Sequence, residues 1–141
     1  MTKSQKAARI VKTDDQLVGD VRVRPMDPSP LVGTWLATDK STGGIVKLVL
    51  SATAEGFVVH AFGACSPSPC DWGEVKGSVY SDSVASNSGM SFTCTYDFGF
   101  LETILAVYLK GGILVLDSFN TFKDDSGRAS YFTREFYYRS D

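Results

Sequence analysis

The chain has 141 residues, which is the length of one domain, and its formal net charge is −2 at pH 7. This charge gives no basic surface that would attract nucleic acid or an anionic membrane, so neither is expected as a partner. The sequence shows no apolar stretch typical of a secretory signal or a membrane span, and its three cysteines are an odd number. We therefore expect a cytoplasmic protein with reduced thiols.

We expect residues 1–30 to form an N-terminal arm or lid, separate from the main domain of residues 31–141. The first part of the arm is rich in charge, and its apolar residues are irregularly spaced. This pattern fits a short helix or a segment without fixed structure. Pro28 and Pro30 lack the backbone donor that a strand ladder needs, so they separate the arm from the first strand. The arm is interpreted as a disordered tail, a flap over a barrel mouth or a dimer contact.

From Leu31 onward, apolar and polar residues alternate with a period of two, which predicts strands rather than helices. Gly111-Gly112, between two apolar runs, is typical of a tight hairpin. The predicted strands comprise residues 33–38, 44–52, 57–64, 72–81, 90–98, 101–110, 113–121 and 130–139. Eight strands with short connections favour an all-β fold, a single antiparallel up-and-down barrel, because closure removes the exposed edges of an open sheet. Such a barrel has room for side chains or one small ligand.

The inward face can be chosen where one face of a strand is clearly polar. In the fifth strand, Phe92 and Tyr96 share the apolar face, so they are predicted to point inward. In the fourth strand, Gly73 and Val75 belong to a face of small residues that should point inward and leave room for a cavity. The alternative is that Trp35 and other large side chains fill the interior. The residues predicted to line the cavity and contact a ligand are Trp35, Phe92, Tyr96, Leu105 and Val75.

The segment Leu31-Val32-Gly33-Thr34-Trp35, at the head of the first strand, resembles the Gly-x-Trp signature of the lipocalins and of the wider calycin group, which includes the avidins. The resemblance extends over the eight-strand region and implies a calycin-like barrel. It also implies that Trp35 plugs the closed end of the barrel and that an arginine near the last strand packs across it. Arg134 and Arg139 are the candidates for this role, and Arg134 is preferred.

Two residues are candidates for catalysis. His60, the single histidine of the chain, shares a strand face with Val58 and Phe62, and histidine titrates near neutrality. It is either a general base or hydrogen-bond anchor in the cavity, or a structural histidine with paired nitrogens. Asp117 interrupts an apolar strand, where an unpaired buried carboxylate is costly. We expect it to pair with Arg134, to meet a polar group of a ligand, or to point outward.

Cys65 and Cys70 enclose a short loop in which two prolines hold the thiols near each other. Three interpretations are open: free thiols, a short-loop disulfide, or a zinc site completed by His60 and Cys94. The spacing is not that of a standard zinc site. Since no phosphate-binding loop, nucleophile elbow or zinc-protease helix appears either, we expect no metal and no cofactor.

These observations favour a protein that encloses a small, mostly apolar molecule, with His60 or Tyr96 as a polar handle. One alternative is a cofactor-independent cyclase or isomerase of a natural-product pathway, which would use the same cavity to orient a flexible substrate. A second alternative is a structural module that binds no ligand. Residues 131–138 are aromatic on both strand faces, so such a module would form a homodimer through its outer surface.

Overall fold

The computed structural model describes residues 25–140, in which eight antiparallel strands follow one another around a closed barrel in chain order. The strands are β1 (Gly33–Ala37), β2 (Ile45–Thr53), β3 (Gly56–Gly63), β4 (Cys70–Tyr80), β5 (Ser91–Asp97), β6 (Leu101–Lys110), β7 (Ile113–Phe122) and β8 (Tyr131–Arg139). Most of the predicted arm, residues 1–24, lies outside the described residues. Within residues 25–140 there is no helix with the length and apolar character needed to cross a membrane.

Pairing between the first and last strands closes the barrel. Trp35 lies opposite Arg139, and Ala37 lies opposite Tyr137. Every strand therefore has two neighbours, and no edge of the sheet is exposed. The predicted all-β up-and-down barrel is confirmed, and each predicted strand end lies within two residues of the observed one.

Because neighbouring strands are antiparallel, the connections alternate between the two ends of the barrel. We call the end with the connections after β1, β3, β5 and β7 the open end, and the other the closed end. The loops of the open end are residues 38–44, 64–69, 98–100 and 123–130. Asp27 pairs with Ser88 in the connection between β4 and β5, so the described part of the predicted arm covers the closed end rather than the opposite mouth.

The closed end is filled by two fully buried side chains, Leu31 and Trp35. The indole Nε1 of Trp35 donates a hydrogen bond to the carbonyl oxygen of Leu31 at 2.9 Å. The guanidinium of Arg139 lies 4.4 Å from the centre of the Trp35 ring and donates to the carbonyl oxygens of Val32 and Pro30. The plug is thus held by packing, by a cation–π contact and by satisfied backbone carbonyls.

The preference for Arg134 as the partner of Trp35 is wrong, and the correct residue is Arg139. The reason is strand register. Arg139 lies directly opposite Trp35, whereas Arg134 lies opposite Asp117 on the outer face of the barrel.

A hydrophobic core fills the barrel above the plug. Burial confirms the predicted inward positions of Phe92 and Tyr96 on β5 and of Leu105 on β6. The rings of Phe57 and Phe92 pack with centroids 5.2 Å apart. The other fully buried aliphatic side chains here include Leu48, Leu50, Val59, Val107 and Leu114. Large side chains therefore occupy this half of the interior.

Candidate functional site

A cavity of about 350 Å³ opens at the open end of the barrel, on the side opposite Trp35. Its walls come from β2, β4, β6, β7 and β8 and from the loops that follow β1 and β5. The apolar part of the lining includes Ile45, Trp72, Phe98, Leu101 and Leu116, and the polar part includes Thr103, Ser118, Asn120, Thr133 and Glu135.

The aromatic wall of the cavity depends on a β-bulge in β4. His60 pairs with Glu74 and Phe62 pairs with Asp71, so two residues of β4, Trp72 and Gly73, lie between these pairs where β3 has only Ala61. Gly73 has φ +83°, which a residue with a side chain rarely adopts. The bulge changes the side-chain alternation of the strand. Trp72 faces the cavity and Gly73 is exposed, contrary to the predicted inward position of Gly73.

Trp72 is held by its neighbours. Its ring makes edge contacts with Phe98 and Tyr96, with centroid distances of 5.2 and 5.4 Å. On the other side, Gly63 has no side chain, and a Cβ atom there would lie only 2.6 Å from the Trp72 Nε1. The indole therefore occupies a place that the absence of a side chain at Gly63 leaves open.

The Tyr96 hydroxyl satisfies the backbone at the bulge rather than facing the cavity. It accepts a hydrogen bond from the Ala61 amide at 3.1 Å and donates to the Gly73 carbonyl oxygen at 2.7 Å. These are groups that the irregular pairing of β3 and β4 leaves without ladder partners. Burial raises the pKa of Tyr96 to about 12.

A buried polar chain lies on the β6–β7 wall of the cavity. Thr103 Oγ1 donates to Asn120 Oδ1 at 2.7 Å, and Asn120 Nδ2 donates to Ser118 Oγ at 2.9 Å. All three side chains are less than 10% exposed. The Ser118 hydroxyl accepts this bond, so its own hydrogen is left to donate to a further group.

Glu135 supplies the charge of the cavity. Its Oε2 accepts a hydrogen bond from Thr42 Oγ1 at 2.6 Å, and Thr42 Oγ1 accepts one from the Gly44 amide at 3.0 Å. The carboxylate can occupy this position because residue 44 is a glycine. A Cβ atom there would lie only 2.7 Å from Glu135 Oε2 and would clash with it. Of the lining residues that the structure describes, no other is charged, and Glu135 forms no ion pair within residues 25–140.

The residues predicted to contact a ligand do not line this cavity. Trp35, Phe92 and Leu105 are fully buried, Tyr96 is nearly so, and Val75 packs against the same core. They belong to the buried core rather than to the cavity wall. The side chains that do line it, above all Trp72, Asn120 and Glu135, were not singled out from the sequence.

The two candidate catalytic residues lie on the outer face of the barrel. His60 Nε2 is 2.6 Å from Asp71 Oδ1, and the His60 ring stacks on Phe62 with centroids 4.3 Å apart. The hydrogen bond with His60, together with one from the Gly73 amide, lowers the pKa of Asp71. His60 is therefore paired in the way expected of a structural histidine.

Asp117, on β7, accepts two hydrogen bonds from Arg134, at 2.6 and 2.9 Å. This pairing, one of the three outcomes expected for Asp117, raises the pKa of the Arg134 guanidinium. Since β3 and β7 are four strands apart in a closed order of eight, His60 and Asp117 lie on opposite sides of the barrel. The structure does not bring them together.

Cys65 and Cys70 form a disulfide, with their Cα atoms 5.4 Å apart, so the interpretation as free thiols is wrong for this pair. Cys94 is free and buried, and burial raises its pKa to about 12. No group of three or more potential metal ligands was found in the part of the chain that the structure describes. The expectation of a cytoplasmic protein depended on reduced thiols and loses that support.

Comparison with known protein families, with curated proteins and with solved structures found no match to this chain. The closed eight-stranded barrel is compatible with the calycin-like fold that Gly33-Thr34-Trp35 resembles. A fold does not by itself define a function, so the function has to be argued from the cavity.

Proposed function

We propose that this protein binds a small molecule in the cavity at its open end. The supporting observation is the cavity itself, which has a volume of about 350 Å³ and brings aromatic and polar side chains together at the open end. Small-molecule sites typically measure about 300–1,000 Å³ and combine apolar walls with a few polar groups. Here Trp72 and Phe98 supply the apolar wall, and Ser118, Asn120 and Glu135 supply the polar groups.

The lining also defines the general character of the ligand. A mostly apolar molecule would leave the polar chain around Asn120 and the Glu135 carboxylate without partners, which is costly in a partly enclosed site. The ligand is therefore an apolar body with one polar end. A catalytic side chain aimed into the cavity would have favoured the alternative of a cyclase or isomerase, but His60 and Asp117 both lie on the outer face. Binding is therefore the function that the geometry supports best.

Two measurements test this proposal. Native mass spectrometry of the full chain purified from its own host should show a retained small molecule. A fragment screen by ligand-observed NMR should give binders that compete for one site. Thr133 lines the cavity, so Thr133→Trp should fill the space and abolish binding. Thr121 is exposed on β7 outside the cavity, so Thr121→Trp is the matched control. Binding that survives in Thr133→Trp, with circular dichroism showing an intact barrel, would contradict the proposal.

A second candidate function, homodimer formation, is favoured by the outer face of β6, β7 and β8. Cross-strand pairing places Ile104, Phe119 and Phe132 in one row and Tyr108, Val115 and Phe136 in another. Five of these six side chains are between 37% and 50% exposed, and the sixth, Val115, is buried. Monomeric proteins rarely expose a contiguous apolar patch of more than a few hundred Å².

We infer that the occupant of this face is a second copy of the chain. The Asp117–Arg134 pair lies between the two apolar rows. A patch with one acid and one base at its centre is complementary to its own copy across a two-fold axis. The five exposed side chains offer roughly 400 Å², given full aromatic areas of about 150–250 Å². This is about half of the roughly 800 Å² per partner of a standard stable interface, so the residues that surround the patch would have to supply the rest.

Sedimentation velocity of the full chain tests the dimer. The wild-type protein should sediment as a dimer, and Phe119→Lys should convert it to a monomer because each interface would bury two unpaired ammonium groups. Tyr80→Lys is the control, since Tyr80 is 51% exposed on β4, across the barrel from β8. A monomeric wild-type protein, or equal effects of the two substitutions, would contradict the inference.

A further inference from the structure

Among residues 25–140 the cavity lining carries one charge, and no counter-ion from this part of the chain pairs with it. Glu135 is the single charged side chain among the described residues that line it, and Lys, Arg and His are absent from that lining. Thr42 donates one hydrogen bond to Oε2, and Oε1 has no hydrogen-bond partner within residues 25–140. In a partly enclosed site the effective dielectric constant is lower than in water, so an unpaired carboxylate favours a cation more strongly than it would at the surface.

The aromatic wall lies on the other side of the cavity. Glu135 is on β8 and Trp72 is on β4, and these strands are four apart in the closed order of eight. The two side chains therefore face each other across the mouth. Trp72 and Phe98 present an apolar surface there, arranged edge to face with centroids 5.2 Å apart. A ligand that fills the cavity contacts the carboxylate at one end and the aromatic rings at the other.

A glycine lies against each of the two side chains that face each other across the site, Glu135 and Trp72. A side chain at Gly44 would clash with the Glu135 carboxylate, and a side chain at Gly63 would clash with the Trp72 indole. Neither glycine has the left-handed backbone conformation that would by itself require glycine. The absence of a side chain at these two positions therefore serves the placement of the carboxylate and of the indole.

From these observations we infer that the ligand is an amphiphilic organic cation, with an ammonium group bound to Glu135 and an aromatic or aliphatic body against Trp72 and Phe98. This inference rests on the proposed function of the cavity. The volume of about 350 Å³ accommodates roughly a dozen non-hydrogen atoms if each takes about 30 Å³, the share of one water molecule in the liquid. An arylalkylamine has this size and this distribution of charge.

The same geometry excludes anionic ligands. A fatty acid or an aryl carboxylate would bring a second negative charge near Glu135, and the described lining holds no cationic side chain to receive it. A neutral alcohol of the same shape would bury the same apolar area and hydrogen-bond to Glu135, but it would lack the charge-assisted contact. The ligand charge is therefore the variable that separates this inference from binding in general.

The experiment compares three indoles of similar size by isothermal titration calorimetry on the full chain. Tryptamine carries an ammonium group, tryptophol a hydroxyl group and indole-3-propionate a carboxylate. We expect tryptamine to bind at least tenfold more tightly than tryptophol and indole-3-propionate to bind weakest. In Glu135→Gln the preference for tryptamine over tryptophol should disappear, while the amide oxygen still accepts the Thr42 hydrogen bond.

Glu74→Gln is the matched control, because it changes the net charge equally on the exposed outer face of β4. It should keep the tenfold preference. If tryptophol binds as tightly as tryptamine, or the carboxylate binds best, and Thr133→Trp abolishes this binding, the cation inference is overturned and the binding proposal stands. If none of the three indoles binds, the cation inference is overturned, and the fragment screen decides whether the binding proposal falls with it.

Discussion

The two ends of this barrel are built on the same strands and differ in almost everything else. On β7, Leu114 and Leu116 face the interior nearer the closed end, and Ser118 and Asn120 face it nearer the open end. The change from apolar to polar takes place between Leu116 and Ser118, two positions apart on one strand. The closed end buries Leu31 and Trp35 completely, while the open end holds the cavity lined by Trp72 and Glu135. The closed-end halves of the strands therefore contribute mainly to stability, and the open-end halves form the proposed binding site.

The largest expected effect is at the plug. Trp35→Ala removes a fully buried indole, its hydrogen bond to Leu31 and its contact with Arg139. The free energy of unfolding should fall by about 3–5 kcal/mol. Trp72 is only partly buried at the open end, so Trp72→Ala should cost clearly less and should instead abolish ligand binding. Urea denaturation and calorimetry measure both quantities. An equal loss of stability in the two variants would contradict the division between the ends.

Alkaline pH should weaken the barrel through its buried acids. Burial raises the pKa of Tyr96 to about 12 from an ordinary 10.0 and that of Cys94 to about 12 from 9.0, and it also raises the pKa of Tyr137. A folded-state pKa above the unfolded value gives stability that is complete below the unfolded pKa and is lost as pH rises toward the folded one.

The free energy of unfolding should therefore fall from near pH 9 to pH 12, by on the order of 1 kcal/mol per pH unit for each group that ionises only when unfolded. In Cys94→Ala the decline should begin near pH 10. Urea denaturation at each pH provides the measurement, and equal stability at pH 8 and pH 12 would refute the assignment.

The polar chain of the open end gives a smaller effect. Asn120→Ala leaves the buried hydroxyls of Thr103 and Ser118 without their partner, which should cost about 1–3 kcal/mol. Asn87 is exposed, so Asn87→Ala should be close to neutral in the same denaturation experiment. A cost for Asn120→Ala as small as that of the control would show that water replaces the lost bonds and that the open end is hydrated.

The smallest effect on stability, and the most selective, is expected at Gly44. In Gly44→Ala the new Cβ meets the far end of the flexible Glu135 side chain, so the carboxylate moves aside and stability falls by about 1 kcal/mol, the low end of the cost of an added methyl group. Tryptamine affinity should nevertheless fall several-fold. Gly43→Ala is the adjacent control: Gly43 also lines the cavity, but a Cβ there has no neighbour within 4 Å and so leaves the Glu135 carboxylate in place. Unchanged affinity in Gly44→Ala would show that the position of the carboxylate does not matter.

The sequence was sufficient for the barrel because alternation and turn residues are local signals. The face of each strand was predictable in the core, where inward residues are apolar, as for Phe92 and Leu105. At the open end the pattern is inverted: polar Ser118 and Asn120 point inward, while Phe119 between them points outward. A rule that places apolar residues inside selects the wrong face there. The cavity residues of β7 and β8 were missed for this reason.

Trp72 was missed for a different reason, the bulge that shifts the phase of β4. The signal was present, since a glycine within a strand pattern often marks a bulge, and Gly73 directly follows Trp72. Arg139 was considered and passed over in favour of Arg134. Only the pairing of β1 with β8 decides between them, and that register is a long-range property that no local pattern contains.

The Cys65–Cys70 disulfide lies in one of the four loops around the mouth, far from the Trp35 plug. Substitutions at well-separated sites act nearly additively on stability. The sequences of the open-end loops can therefore be changed, by loop exchange or by selection from a library, without changes to the closed end that keeps the chain folded. This makes the molecule a scaffold whose recognition can be retargeted one loop at a time, with the cross-linked loop as the rigid point of reference.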